Sequence, residues 1–168
     1  ELFGSRTHGI GQLVVTLLGG LIGAVSMSGS VIAWAKLDGV LKKPLRFKGQ
    51  QIANGIVFLA GVAVGGWIVF SSISGAAMIL PMSTWITIFF GLTLLFGIMM
   101  TLPIGGADMP VVISIYNAFT GLAVGLDGFV LQNPALMIAG MVVGAAGLLL
   151  TLLMAKAMNR SLTNVIFT

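Results

Sequence analysis

Asn117 is the residue best placed to do polar chemistry inside an apolar stretch of this chain. Ser114 and Thr120 lie three residues to either side, on nearly the same helical face, with Gly121 beside them. Amides and hydroxyls both donate and accept hydrogen bonds, so such a strip can hold a water chain. The same residues would also serve as interhelical glue worth about 1 kcal/mol, and spacing alone favours that simpler use. Ser26 and Ser30, with Gly23, make a second strip. It is the weaker of the two, because serines in helices often bond their own backbone carbonyls.

A second constellation sits in the segment Pro103-Ile104-Gly105-Gly106-Ala107-Asp108-Met109-Pro110. Gly105 and Gly106 permit unusual backbone angles, and Asp108 falls where a helix N-terminus favours negative charge. Helix capping and a docking role weigh evenly for Asp108. The glycines do not form G-x-G-x-x-G, so this loop cradles no dinucleotide. Further on, Lys156 and Arg160 stand four apart at the end of an apolar run, ready for lipid phosphate or a partner, with lipid the default. Asn159-Arg160-Ser161 has the form of a glycosylation sequon but falls on the side assigned below to the cytoplasm.

Titratable groups are scarce. His8, the single histidine, precedes the first apolar run among polar residues and reads as part of a solvated flank rather than a relay. Asp127 lies 16 residues past Val111, roughly 24 Å along a helix, where snorkelling to the headgroups explains it more simply than catalysis. No Asp, Glu, His, Lys or Arg stands in the middle of an apolar run, although proton pumps use chains of such groups. A chain with this content cannot move protons alone: either the titrating group comes from another segment, or the function is not proton transport.

The elements that position these residues follow from composition. Of 168 residues, 58% are hydrophobic and only 7% charged, and the mean hydropathy is +1.13. Soluble domains carry about a quarter charged residues, so a soluble enzyme, a nucleic-acid binder and a disordered tail are all excluded. Zero cysteines exclude disulfides and thiolate chemistry. About 20 apolar residues cross a bilayer, and five such segments are expected, at about 11–35, 52–70, 85–102, 111–131 and 135–155. They form an all-α integral membrane bundle packed through glycine. Ser71, Ser72, Ser74 and Gly75 read as a turn after the second segment, and Gln132-Asn133-Pro134 as a tight turn before the fifth. Many of the 24 glycines fall four apart, such as Gly121 and Gly125, or Gly140 and Gly144 with Gly147 beyond. That spacing lets helix backbones approach closely.

Five crossings place the 36–49 loop, the 103–109 loop and the 156–168 flank on one side. That side holds Lys36, Lys42, Lys43, Arg46, Lys48, Lys156 and Arg160, with only Arg6 opposite in the 1–10 flank, so it is cytoplasmic by the positive-inside bias. The ends of the chain, Glu1 and Thr168, read as those of a piece of something longer, without a signal peptide.

Four runs carry a family resemblance: Gly29-Ser30-Val31-Ile32-Ala33 to Lys36-Leu37, Ile104 to Val112 with its Gly-Gly-Ala-Asp-Met-Pro, Tyr116-Asn117-Ala118-Phe119-Thr120-Gly121, and Lys156-Ala157-Met158-Asn159-Arg160-Ser161. Over essentially its whole length the chain resembles the proton-translocating nicotinamide nucleotide transhydrogenases, in the C-terminal part of the beta subunit's membrane domain. The resemblance implies hydride transfer between NADH and NADP on separate soluble domains, coupled to proton passage through the membrane. It implies no cofactor and no metal on this chain, with NAD(H) and NADP(H) held in partner domains. The expected partners are the remaining helices of the beta subunit, the alpha subunit, the soluble NADP-binding domain and the lipid bilayer. The expected setting is a dimeric enzyme in a bacterial inner membrane.

By the same resemblance, Asn117 matches an asparagine of the proton path. Asp108 matches an aspartate facing the NADP domain, and Lys156 to Ser161 match the start of the link to it. The family's channel histidine belongs to an earlier helix, so His8 does not inherit its role, and the chain would be inactive by itself. A small self-contained transporter and a purely structural anchor are the alternatives.

Overall fold

The computed structural model describes residues 2–41, 43–75 and 79–166, with side chains from Gly9 to Val165 within those limits. His8, Arg6 and Lys42 fall outside the described side chains. Among the described residues every regular element is helical: α1 (Leu2–Leu37), α2 (Gln50–Ser74), α3 (Met82–Thr101), a 3-10 turn (Gly106–Asp108), α4 (Met109–Val130), α5 (Pro134–Ala157) and the short α6 (Leu162–Ile166). Five of these helices are long and apolar enough to cross a membrane. Large apolar side chains such as Leu148, Leu149, Leu152 and Leu153 point outward. Water would reject that surface, and lipid accepts it once the backbone is satisfied inside helices.

Helix ends follow local chemistry. The serines after the second apolar run do not form the expected turn, because α2 continues through them. Ser71, Ser72 and Ser74 donate to the carbonyls of Trp67 (2.7 Å), Ile68 (2.8 Å) and Phe70 (2.9 Å), so each hydroxyl is satisfied within the helix. The helix stops instead at Gly75, whose φ of 64° places it in the left-handed region. Between α4 and α5 the turn is where the sequence places it. Gln132 takes a φ of 52°, and the Asn133 N–H reaches back to the Gly128 carbonyl at 2.8 Å. Asn133 then caps α5, its Oδ1 accepting from the N–H groups of Ala135 and Leu136, with Pro134 in the first turn.

Across the bundle the helices run in the order α2, α3, α1, α4, α5, each packed on its neighbours in that row. α1 and α4 are antiparallel: Gly19 stands beside Asp127, Ser26 beside Thr120 and Gly29 beside Tyr116. The densest core lies at the end where α3 turns into α4, around Ala33, Ile104, Met109, Val111, Val112, Tyr116 and Val165. That core anchors the elements of the candidate site.

Candidate functional site: a polar edge between α1 and α4, and a charged connector

The three residues spaced along α4 do not make one continuous strip. Ser114 is buried against α5, donating to the Gly147 carbonyl at 3.2 Å, which is the interhelical use. Thr120 turns towards α1, where its Oγ1 lies 2.7 Å from Ser26 Oγ. Asn117 projects between them, exposed and with no hydrogen bond among the described residues. Residues three apart step about 60° around a helix, so a neighbour on each side captures the outer two and leaves the middle one free. Ser30, one turn along α1 from Ser26, is exposed as well.

At the junction Ser26 and Thr120 share one acceptor. Both hydroxyls reach the Tyr116 carbonyl, at 2.8 and 2.9 Å. Two protons serve three short contacts, so each hydroxyl can donate either to the carbonyl or to the other hydroxyl. Just below, Tyr116 is buried, its phenol 2.5 Å from Thr101 Oγ1. Thr101 in turn donates to the Gly97 carbonyl at 2.7 Å, so the phenol supplies the proton to the threonine.

The connector from α3 to α4 is held by groups that the sequence reading counted only as loop charges or passed over. Lys36 is not a loop residue; it belongs to α1 and is buried. Its Nζ donates to the carbonyls of Thr101 (2.8 Å), Leu102 (2.6 Å) and Ile104 (2.6 Å), which uses all three of its protons. Arg46 Nε donates to Pro103 O at 3.0 Å, and Gln50 Nε2 to Met99 O at 3.1 Å. A lysine at a helix C-terminus is favoured by the helix dipole, which offsets burial of the ammonium. The available signal was periodicity. Gly29, Ala33 and Lys36 recur at i, i+4 and i+7, and all three are buried.

Asp108 closes the 3-10 turn and precedes α4, yet its side chain makes no cap hydrogen bond. It is mostly buried, and its Oδ1 forms an ion pair with Arg160 Nε at 3.5 Å, too long for a hydrogen bond. Gly105 and Gly106 have open space where a side chain would stand, and Gly105 is extended with a φ of −71°. The close approach of backbones that glycine allows is therefore used elsewhere.

Lys156 is exposed on the last turn of α5. Asn159 ends that helix in the left-handed region, with a φ of 51°. The N–H groups of Asn159 and Arg160 bond back to Lys156 O (3.1 Å) and Ala155 O (2.9 Å), and this reversal turns Arg160 towards Asp108. Asn159→Gly should leave the thermal midpoint of the detergent-solubilised protein unchanged. Asn159→Val should lower stability by roughly 1–2 kcal/mol, the penalty for a Cβ in that region.

Asp127 is exposed near the far end of α4, beside Gly19; a Cβ there would stand 3.1 Å from its Oδ1. No group of three or more metal-ligating side chains occurs among the described residues.

The comparisons with known proteins bear on this arrangement as a whole. The family model described as NAD(P) transhydrogenase beta subunit matches residues 3–168. A curated relative from Rhodospirillum rubrum, named NAD(P) transhydrogenase subunit beta, is 41% identical over 157 residues, covering 93% of this chain and 32% of its own length. A second relative of the same name, from a strain of that species, matches equally. The chain thus spans about a third of the length of the curated relatives it matches. A match across both the polar α1–α4 edge and the connector with its ion pair leaves one assignment: this chain belongs to the NAD(P) transhydrogenase beta subunit family.

Proposed function

We propose that this chain forms part of the proton-conducting membrane domain of an NAD(P) transhydrogenase, in which proton translocation is coupled to hydride transfer from NADH to NADP+ on separate soluble domains. The exposed amide of Asn117 carries this reading. An amide within a spanning helix is expensive to leave against lipid, so its neighbour in the assembled enzyme is water or a further helix. Beside it, Ser26 and Thr120 offer a hydroxyl pair whose protons have alternative arrangements, the property a proton wire needs. The edge offers no acid or base at that depth, and the titrating group comes from the remaining helices of the beta subunit. Because Asn117, Thr120 and Ser30 face out from these helices rather than into an enclosed space, a self-contained channel is the poorer fit.

Lys36, Arg46 and Arg160 all gather at the end that carries Asp108. The positive-inside bias makes that end cytoplasmic. Arg160 then faces the compartment in which the soluble NADP-binding domain and the alpha subunit act, with Asp108 and Arg160 as the contact through which proton passage alters nucleotide affinity. Nucleotides are held by those partner domains, and this chain alone transfers no hydride. A bacterial inner membrane and a dimeric enzyme complete the proposal.

Asn117→Leu in the intact enzyme tests it. Proton uptake into vesicles driven by hydride transfer should fall roughly a hundredfold, the scale of losing a positioned proton-transfer group, while Asn117→Gln retains a measurable fraction. Undiminished coupled uptake in the leucine variant would remove Asn117 from the path.

A further inference from the structure

Lys36 occupies a position that packing alone does not call for. Its three acceptors straddle a boundary: Thr101 closes α3, Leu102 caps it, and Ile104 already belongs to the connector. The ammonium therefore fastens α1 to both the end of one helix and the chain leading to Asp108. Neighbouring donors hold the same stretch from the same side. Arg46 binds Pro103 O, the Leu45 N–H binds Leu102 O at 3.2 Å, and Gln50 binds Met99 O. The Asp108 side chain at the end of the connector is held less tightly, since it meets Arg160 through a 3.5 Å ion pair with no hydrogen bond at that oxygen.

Towards the membrane interior, Lys36 continues the α1 face that begins at Ser26. That face includes Gly29, lying under the Tyr116 ring, and the fully buried Ala33. A displacement of α1 at the Ser26–Thr120 pair therefore reaches the connector through a rigid helix and three short hydrogen bonds. The weak element at the far end is the Asp108–Arg160 contact, where small movements change an interaction most.

We propose that Lys36 is a positioning residue that ties the placement of α1 at the polar edge to the placement of Asp108 against Arg160. This rests on the proposed role of the Asp108 end as the contact with the NADP-binding domain. Lys36 touches neither nucleotide nor proton path; it acts through Asp108.

The test is a double-mutant cycle in the full enzyme, read as KM for NADP(H) against kcat of hydride transfer, with the thermal midpoint recorded for each variant. Lys36→Met should shift the NADP(H) KM by roughly five- to fiftyfold, within the usual span of coupling between sites. Lys36→Arg, which keeps the donors, should restore most of it. In an Asp108→Asn background the Lys36→Met shift should vanish, because its route is already cut. If Lys36→Met does not assemble, Arg46→Gln loosens the same connector from an exposed position. It should then give a smaller shift in the same direction, likewise absorbed by Asp108→Asn. Additive effects, or a Lys36→Met variant with unchanged KM, would overturn the inference. Should Asp108→Asn itself leave nucleotide kinetics untouched, the proposed coupling end is what fails, a result distinguishable from failure of Lys36 alone.

Discussion

Alanine at Gly140 or at Gly147 should split α4 from α5, while alanine at Gly144, between them on the same face, should be tolerated. A Cβ at Gly140 would overlap the Gly125 backbone nitrogen and stand 2.5 Å from Gly125 Cα and 2.7 Å from Gly121 O. At Gly147 it would meet the nitrogen, Cα and Cβ of Ala118 at 2.7, 2.8 and 2.9 Å. Those obstacles are mainly backbone, which cannot swing aside as a side chain can. At Gly144 the nearest atoms are Ala118 O and Leu122 N, both 3.6 Å away, an ordinary contact. Overpacking typically destabilises by about 1–3 kcal/mol, and backbone obstacles put Gly140→Ala and Gly147→Ala at or above the upper end. The Gly147 change carries a second penalty, because its carbonyl accepts from both Ser114 (3.2 Å) and Thr151 (2.8 Å). Unfolding of the detergent-solubilised variants measures the difference. Equal loss at all three glycines would show that the helices pack in another register.

Gly29→Ala should be almost as damaging, and it should be repaired by shrinking a residue on another helix. A Cβ at Gly29 falls inside the Tyr116 ring, 2.5 Å from its hydroxyl oxygen. Tyr116 cannot simply rotate away: it is 2% exposed, and its phenol is held by Thr101, itself fully buried. The ring must leave its site, breaking the Tyr116–Thr101 hydrogen bond in a buried place where an orphaned hydroxyl costs about 1–3 kcal/mol. Tyr116→Leu alone leaves a cavity and removes the phenol that donates to Thr101, whose own proton still goes to the Gly97 carbonyl. Combined with Gly29→Ala it also removes the obstruction, so the double variant should be more stable than the sum of the two single losses allows. Simple additivity in thermal unfolding would mean that Gly29 does not lie under that ring.

Much of the architecture was legible in one dimension, because lipid imposes a uniform demand. Segments of about 20 apolar residues have a single outcome there, and Asn133-Pro134 states its own turn through a cap and a ring without an N–H. The serines after the second segment misled for a local reason: in helices their hydroxyls fold back on the preceding turn, so polar residues do not mark an end. The Gly-Gly-Ala-Asp-Met-Pro and Ala-Met-Asn-Arg-Ser runs were specific enough, in their order, to point to the family, and the structure brings both to one end of the bundle around Asp108 and Arg160.

Composition and hydropathy pattern therefore pointed to the solvent and the helical class, and the specific motifs to the family, each of which depends on residues near one another along the chain. Three-dimensional packing assigned the individual roles. It gave Ser114 to α5 and Thr120 to α1 and left Asn117 open; it drew Lys36 inside, and it separated indispensable glycines from permissive ones. The reason is rotational. Each helix carries its residues at known angles, but which angle meets a neighbour depends on how two rods are turned and shifted against each other. That relation is set jointly by the contacts of all five helices and is written in none of them singly.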